Sequence, residues 1–422
     1  MRDERLQVMK QERLRILVLA LDANPNYVTG QLIGYSHSAA LARLHRVTLV
    51  VRSINAEAVR RANGGFHAIE SIPESWLDRL YAWAFRHLFE EDRGNFLFVA
   101  MSFPQFIAFE WRAWRQLKRR IHDGEFDVVL RLLPIVPMMP SPFAYFLRKG
   151  PIPFVIGPIN GGLPWPKGFS QLERQRASAG NWIAGLRNLY RYLPFAHSTF
   201  SKAAAIIAGS SNSCREFSRY REKVFYVPGE NGVNSTWIQE RPASRAENRK
   251  KLEVIMVNRL VSLKAVDLAL RGAASLLRSG RARLSIVGDG TDRQRLEQLV
   301  DELGVRGAVT FCGWLGHQET LSRLRQSDVL LFPSLREFGG GVVFEALASG
   351  AVPVVADFGG PGDIVTDEVG FRIPLINEQR MPAQIETILE RLASDWSHLE
   401  TLGRQGQAYA REHLRRGASG TR

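Results

Sequence analysis

A loop glutamate, three glycines and a second glutamate about one helical turn further on are the residues whose order could do chemistry in this chain. They lie in Asp328–Gly362, DVLLFPSLREFGGGVVFEALASGAVPVVADFGGPG. The run Asp328–Phe332 reads as a buried strand ended by Pro333. A loop carrying Glu337, Gly339, Gly340 and Gly341 follows, and then a helix with Glu345 in its early turns. In open α/β sheets, ligands bind at the carboxyl ends of strands. Glycines let the backbone come close to a ligand, and a helix N-terminus offers free N–H groups and a partial positive charge. Together these make a phosphate cradle. Glu345 is placed to accept hydrogen bonds from a ribose diol, and Glu337 to contact a sugar beyond the phosphates. The plainer reading of Glu345 is a helix-dipole partner on a solvated face. Its neighbours Val342, Val343, Phe344, Ala346, Leu347 and Ala348 leave little room for solvation, and a buried carboxylate without a partner is costly.

Such a cradle needs a parallel sheet beneath it, and the chain supplies the pattern twice. In the first half, Leu14–Leu21, Arg46–Val51, Phe126–Leu132, Pro153–Ile156 and Ala204–Ala208 read as strands. Helical spacing covers Leu32–Leu44 and residues 75–90, 105–122 and 172–193. In the second half, Val254–Val257, Leu284–Val287, Val309–Phe311, Val329–Phe332 and Val352–Val355 are strands, each followed by a helix. Continuous apolar strands alternating with helices predict parallel sheets covered on both faces. The polar segment Arg241–Lys251 is the best linker. The expected organisation is two doubly wound domains, residues 1–228 and 229–422.

Composition narrows the class. The 422 residues are 45% hydrophobic and 23% charged, ordinary for a globular protein and unlike collagen, a disordered chain or a multi-span membrane protein. Two cysteines, Cys214 and Cys312, exclude a disulfide framework or a four-cysteine zinc site. The histidines His67, His87 and His122 have no ligand-like spacing. The apolar run Ile16–Leu21 is too short for a signal or spanning segment, and the prolines within Phe126–Leu147 break a spanning helix. A cytoplasmic protein without a membrane span is expected. The net charge is +14, and residues 101–228 alone carry +11. A localised basic excess points to an anionic partner, or else to a solvated arginine-rich surface. The aromatic and basic stretches Trp111–Arg120 and Trp182–Leu193 suit peripheral contact with an anionic membrane or burial of an apolar stripe in the first domain. No nucleic-acid module accompanies the charge.

The Glu337-x7-Glu345 spacing resembles the glutamate-x7-glutamate motif of the family-4 retaining glycosyltransferases, the group-1 glycosyl transferases of GT-B fold. Phe338-Gly339-Gly340 and Glu345-Ala346-Leu347-Ala348-Ser349-Gly350 resemble its usual surroundings. Further landmarks follow in order. Gly229-Glu230-Asn231-Gly232-Val233-Asn234 is similar to the turn that opens the family's donor domain. Asn258-Arg259-Leu260-Val261-Ser262-Leu263-Lys264 is similar to its Gly-Arg-Leu-x3-Lys, and Val287-Gly288-Asp289-Gly290 to the turn after the next strand. Phe311-Cys312-Gly313-Trp314 is similar to its Phe-x-Gly. The resemblance covers nearly all of 229–395.

This resemblance implies two Rossmann-like domains facing a central cleft. The first takes the acceptor and the second the nucleotide sugar. Arg259 and Lys264 are implied to bind the donor diphosphate, where two cations suit a leaving group that gains charge. With no aspartate-x-aspartate motif, no metal and no cofactor are expected. Phe338, the three glycines, Gly288 and Glu345 would line the donor site, with Glu337, Arg259 and Lys264 nearest the chemistry. Thr29-Gly30-Gln31 stands where the family has a glycine-rich loop, making Gly30 and Gly34 candidates for close approach to the phosphates. Phe154–Pro164 resembles one branch's Gly-Pro-x-x-Gly-Gly segment and makes Asn160 and Gly161 acceptor-loop candidates; a plain tight turn is the other reading. His317, opening a helix after Gly316, is either a donor contact or a polar helix start.

Two departures stand out. Many relatives carry a histidine after the strand matching Phe126–Leu130, where this chain has Leu130 and Arg131. Arg131 either substitutes in the acceptor loop or is a buried arginine paired with a carboxylate. Relatives usually close with a helix that crosses back to the first domain; this chain closes on Arg411–Arg416 and a short Gly/Ser tail, which suggests a shortened crossover. The expected function is retaining transfer of a hexose from a nucleotide sugar to a hydroxyl acceptor, a lipid-linked or growing saccharide at the cytoplasmic membrane face. A non-catalytic nucleotide-sugar-binding protein and a nucleotide-sugar epimerase of the same fold are the alternatives.

Overall fold

The computed structural model describes residues 13–27, 30–88, 95–137, 139–159, 163–169, 192–227 and 251–419. These residues form two compact units. The first takes residues up to 159 together with 192–209 and 213–227; the second takes 163–169, 210–212 and 251–419.

The first unit is built on seven parallel strands: β1 (Arg15–Ala20), β2 (Arg46–Arg52), β3 (Ala68–Ile72), β4 (Val128–Leu133), β5 (Phe154–Ile159), β6 (Ala205–Ala208) and β7 (Val224–Tyr226), in the order 3-2-1-4-5-6-7. Its central strands are buried on both faces, as their unbroken apolar runs require. One side of the sheet packs on Phe106, Phe109, Ala113 and Leu117 of the helix Asn95–His122. That helix carries Pro104 inside it and begins earlier than the 105–122 pattern predicts. The sequence reading also passes over β3 and β7 here and the strand Phe371–Ile373 of the second unit, edge strands whose sides are only partly buried.

The second unit has six parallel strands: β8 (Leu252–Val257), β9 (Ala282–Val287), β10 (Val309–Gly313), β11 (Val329–Phe332), β12 (Val352–Ala356) and β13 (Phe371–Ile373), in the order 10-9-8-11-12-13. In both sheets the first strand lies between the second and the fourth, so the order reverses beside it, the usual place for a ligand crevice. In the second unit that reversal falls between β8 and β11, which pair through Val254–Val329 and Ile255–Leu330.

Ten described residues that the sequence assigns to the first domain, 163–169 and 210–212, belong to the second unit. Phe169 is buried in its core and Trp165 packs against it. Gly168, at φ +90°, makes this possible, because a Cβ there would lie 2.1 Å from the Ile376 carbonyl oxygen. The last helix is Trp396–Ser419. It lies on the helix Gly341–Ser349, where Gln407 donates to the Ala348 carbonyl at 3.2 Å and Gly406 meets Leu347. Among the described residues no helix is long and apolar enough to cross a membrane. Neither Cys214 nor Cys312 forms a disulfide. The predicted linker 241–250 and helical pattern 172–191 lie outside the described residues.

Candidate active site

The site is assembled where β8 and β11 end. After β8 the chain passes Asn258 and Arg259 and makes a short turn, Ser262–Lys264, before the helix Val266–Arg278. After β11 it runs through Pro333, Ser334 and Leu335 to Glu337. A hydrogen bond from the Leu335 N–H to the Leu263 carbonyl, 3.0 Å, ties the two loops together. The result is an ion pair that neither segment announces alone. The Lys264 ammonium meets Glu337 Oε2, both side chains are mostly buried, and Nζ lies 5.7 Å from the centre of the Phe332 ring.

Glycines hold the Glu337 loop by what they lack. A Cβ on Gly359 would stand 2.2 Å from the Glu337 carbonyl oxygen, and one on Gly360 2.1 Å from that of Phe338. With hydrogen there instead, the Gly360 N–H donates to the Glu337 carbonyl at 3.2 Å. The backbone of 337–338 is therefore pressed onto the start of the helix Gly359–Ile364. Gly340, at φ +63°, turns the chain into the helix Gly341–Ser349. Arg336 reaches the other way, donating to the Leu163 carbonyl at 3.1 Å with its guanidinium 5.9 Å from the Trp165 ring. Residues 163–169 thus brace the loop.

Glu345 sits on the second turn of Gly341–Ser349, mostly buried, and its Oε1 is 3.1 Å from His317 Nε2. His317 opens the helix His317–Gln326. The hydrogen bond to Glu345 holds the imidazole pKa above its ordinary 6.5. Sequence reasoning left His317 open between a donor contact and a plain helix start; the contact spans 28 positions, and no local pattern encodes it.

Arg259 projects outward and, among the described residues, has no carboxylate within ion-pair distance. Its loop is clamped from behind. A Cβ on Gly288 (φ +121°) would lie 2.0 Å from the Asn258 carbonyl oxygen, and one on Gly290 2.4 Å from that of Leu260. The Leu260 N–H donates to the Asp289 carbonyl at 2.9 Å. Gly288 therefore shapes the Arg259 loop by close backbone packing. The side-chain amide of Asn258, in the place of the family's glycine, is buried and has no hydrogen-bond partner among the described residues. Lys264, Glu337, Phe338, Gly339, Gly340, Gly341 and Glu345 thus share the carboxyl edge of one sheet, with Arg259 on the adjoining loop.

The residues singled out in the first unit meet different fates. Gly30 starts the helix Gly30–Leu44 with open space where its Cβ would be, whereas Gly34 packs that helix on Leu133. Asn160 and Gly161 lie outside the described residues. Arg131 is a correction to its reading as an acceptor-loop residue. The strand runs on to Leu133, so Arg131 is inside β4 and buried. Its guanidinium donates to the Met139 carbonyl and, at 2.7 Å, to the Pro134 carbonyl, and it lies 5.2 Å from the Phe106 ring centre. Its charge is felt by Glu110, also fully buried, whose Oε2 accepts from the Ser141 hydroxyl at 2.5 Å. Burial pushes the Glu110 carboxyl up to about 7, against Arg131 and the hydrogen bonds from Ser141 and the Phe143 N–H. The cluster ties Pro134, Met139 and Ser141 to β4 and the helix Asn95–His122.

Residues 238–408 match the family described as glycosyl transferases group 1. An uncharacterized glycosyltransferase of Methanocaldococcus jannaschii is 32% identical over 216 residues, 48% of this chain and 54% of that protein. A D-inositol 3-phosphate glycosyltransferase of Nocardia farcinica is 31% identical over 229 residues, 50% of this chain and 49% of the other. The chain spans about half the length of these curated relatives. Over nearly all its length it has the fold of Anabaena HepE solved in complex with UDP, with TM-score 0.63, 16% identity and coverage of 96% of this chain and 98% of that one. A sucrose-phosphate synthase from Thermosynechococcus elongatus is equally similar in fold, with TM-score 0.63, 16% identity and 97% of each chain covered. The expected GT-B architecture of two Rossmann-like α/β domains is the one found.

Proposed function

We propose that this protein is a retaining, metal-independent glycosyltransferase that moves a hexose from a nucleotide-sugar donor to a hydroxyl acceptor, a lipid-linked or growing saccharide at the cytoplasmic face of the membrane. The observation that carries the reading is the pairing of Lys264 with Glu337 at the sheet's reversal point, beside the helix that bears Glu345. The UDP in the HepE structure supports a nucleotide-bearing donor.

In this reaction the bond between the anomeric carbon and the donor phosphate oxygen breaks, and the electron pair leaves with the diphosphate. Lys264, Arg259 and the N–H groups at the start of Gly341–Ser349 meet the growing negative charge. Glu345 holds the ribose hydroxyls and Glu337 the sugar. The acceptor hydroxyl attacks the oxocarbenium-like centre from the face the diphosphate vacates and gives up its proton to the departing phosphate oxygen, so configuration is retained. The charge of the diphosphate is met by these cations and amides without a divalent ion.

The test is release of nucleotide diphosphate from a panel of UDP-, GDP- and ADP-sugars, with Lys264→Ala and Glu345→Ala as controls. Release of one diphosphate, lost in both variants, is the expected result. Donor binding without release or transfer, with saccharide acceptors supplied, would identify a non-catalytic binding protein, and an epimerised donor without acceptor an epimerase.

A further inference from the structure

The buried cluster behind β4 holds an acid that the candidate site does not use. Glu110, Arg131, Ser141 and Thr199 are all buried. Glu110 Oε2 accepts from the Ser141 hydroxyl at 2.5 Å, and the carboxyl group also accepts from the Phe143 N–H. The Ser141 N–H donates to the Thr199 hydroxyl oxygen at 2.7 Å, which joins the helix Ala196–Ser201 to the cluster. Arg131 donates to the Pro134 and Met139 carbonyls. Glu110 Oε1 and Arg131 Nε have no hydrogen-bond partner among the described residues.

The acid is thus enclosed by two helices, a central strand and the stretch from Pro134 to Ser141, and only that stretch lacks regular structure. Pro134, Pro137 and Pro140 in it have no N–H to give. Its backbone is held by a turn bond from the Met139 N–H to the Val136 carbonyl, 3.4 Å, and by the contacts with Arg131 and Thr199. Such a stretch opens at lower cost than the strand and helices around it. Its position gives the opening a consequence. It leaves the carboxyl end of β4 beside β1, where the order of the first sheet reverses and a crevice is expected. Gly34 packs the helix Gly30–Leu44 on Leu133, the residue just before it.

We propose that Glu110 is a proton-operated latch on this stretch: with its proton bound, Pro134–Ser141 stays closed over the acid at the crevice edge, and with the proton lost the stretch lifts and water reaches the carboxylate. The proposal rests on the transferase reading for its purpose, control of the acceptor side by pH, but the latch itself requires no transfer. Linkage fixes the direction. Closed, Glu110 keeps its proton up to about 7, because burial outweighs Arg131 and the hydrogen bonds from Ser141 and Phe143. Opened and hydrated, it titrates near its ordinary 4.5. Opening therefore gains as pH rises through this interval and levels off above it; between pH 6 and 8 the open fraction should rise about tenfold. Other groups facing Glu110 stay fixed over that range. Arg131 keeps its charge, Phe106, Ile107, Ala113 and Trp114 on its own helix have none, and Tyr145 and His197 on the two covering helices are exposed.

The test is amide hydrogen exchange of the full-length chain, read by mass spectrometry on peptides spanning 135–146 and corrected for the intrinsic rate at each pH. In wild type their protection is expected to fall about tenfold from pH 6 to pH 8, and to lie below that of β1 and β2 at the higher pH. Glu110→Gln cannot ionise and should show no such fall. Ser141→Ala keeps the acid but removes a donor that favours its charge, so its fall should continue to higher pH; it serves as the second variant should Glu110→Gln fail to fold. Three results would each overturn the latch: equal protection at the two pH values in wild type, the same fall in Glu110→Gln, or protection of 135–146 equal to that of β1 and β2 throughout, which would mean that only global unfolding exposes the acid. A Glu110-dependent fall in a chain that releases no diphosphate from any donor would sink the transferase reading and leave the latch standing.

Discussion

Replacing Lys264 by alanine separates a structural ion pair from a charge that serves the reaction. The Lys264 ammonium is paired with Glu337 in the free protein, and the two side chains are 12% and 23% exposed. Exposed pairs contribute roughly 0.2–1 kcal/mol, whereas breaking a buried one costs roughly 3–5 kcal/mol. The intermediate burial here puts the stability cost of Lys264→Ala at about 1–2 kcal/mol, because Glu337 is left charged yet still reaches water. If the ammonium also stabilises the leaving diphosphate, turnover at saturating donor falls by about 10²–10³, or about 2.7–4 kcal/mol. The double variant Lys264→Ala/Glu337→Ala separates the two effects. With no orphaned carboxylate it should recover part of the stability, while turnover stays lost. Thermal melting and diphosphate release, measured on the three proteins and wild type, give both quantities. Turnover by Lys264→Ala within about threefold of wild type at saturating donor, or recovery of turnover in the double variant, would refute the assignment.

Gly359→Ala places a Cβ 2.2 Å from the Glu337 carbonyl oxygen at φ +64°; a stability loss of roughly 2–4 kcal/mol is expected, with weakened nucleotide binding, and an unchanged melting temperature would contradict the packing. Glu110 has a folded-state pKa raised from 4.5 to about 7 by burial, so the folded chain holds its proton more tightly than the unfolded one. Stability is fully present below about 4.5 and is lost as pH rises through about 7, by up to about 3 kcal/mol. Glu110→Gln should flatten this slope in urea titrations from acid to mildly alkaline pH, and an identical slope in wild type and variant would count against it. His317 has a pKa raised by Glu345, so its contribution is present below the ordinary histidine range and fades as pH rises through the raised value. Because the ring is half exposed, His317→Ala should cost only about 0.2–1 kcal/mol in acid and nothing at alkaline pH; an equal cost at both extremes would show that the ion pair is not its source.

Much of this protein is legible in the order of its residues. The central strands of both sheets are continuous apolar runs because each is covered on both faces, so Val329–Phe332 can be read from four residues alone. The edge strands β3, β7 and β13 escape notice because each is left partly open. The loop Glu337–Gly341 and Glu345 one turn into the following helix are likewise local, set by glycine's freedom at Gly340 and by helical pitch.

The contacts between segments are another matter. Lys264 and Glu337 are 73 positions apart and meet because β8 lies next to β11. His317 finds Glu345 because two helix starts converge, and Leu163 supports Arg336 from a segment that precedes the whole second sheet. Arg131 reads equally well as a loop residue or a buried one until the strand is seen to continue to Leu133 and the side chain to turn toward Glu110. Periodicity and propensity act over a few residues and decide which segments become strands and helices. Strand order, register and the close approach of glycine backbones act over the whole chain, and they decide which charges face one another.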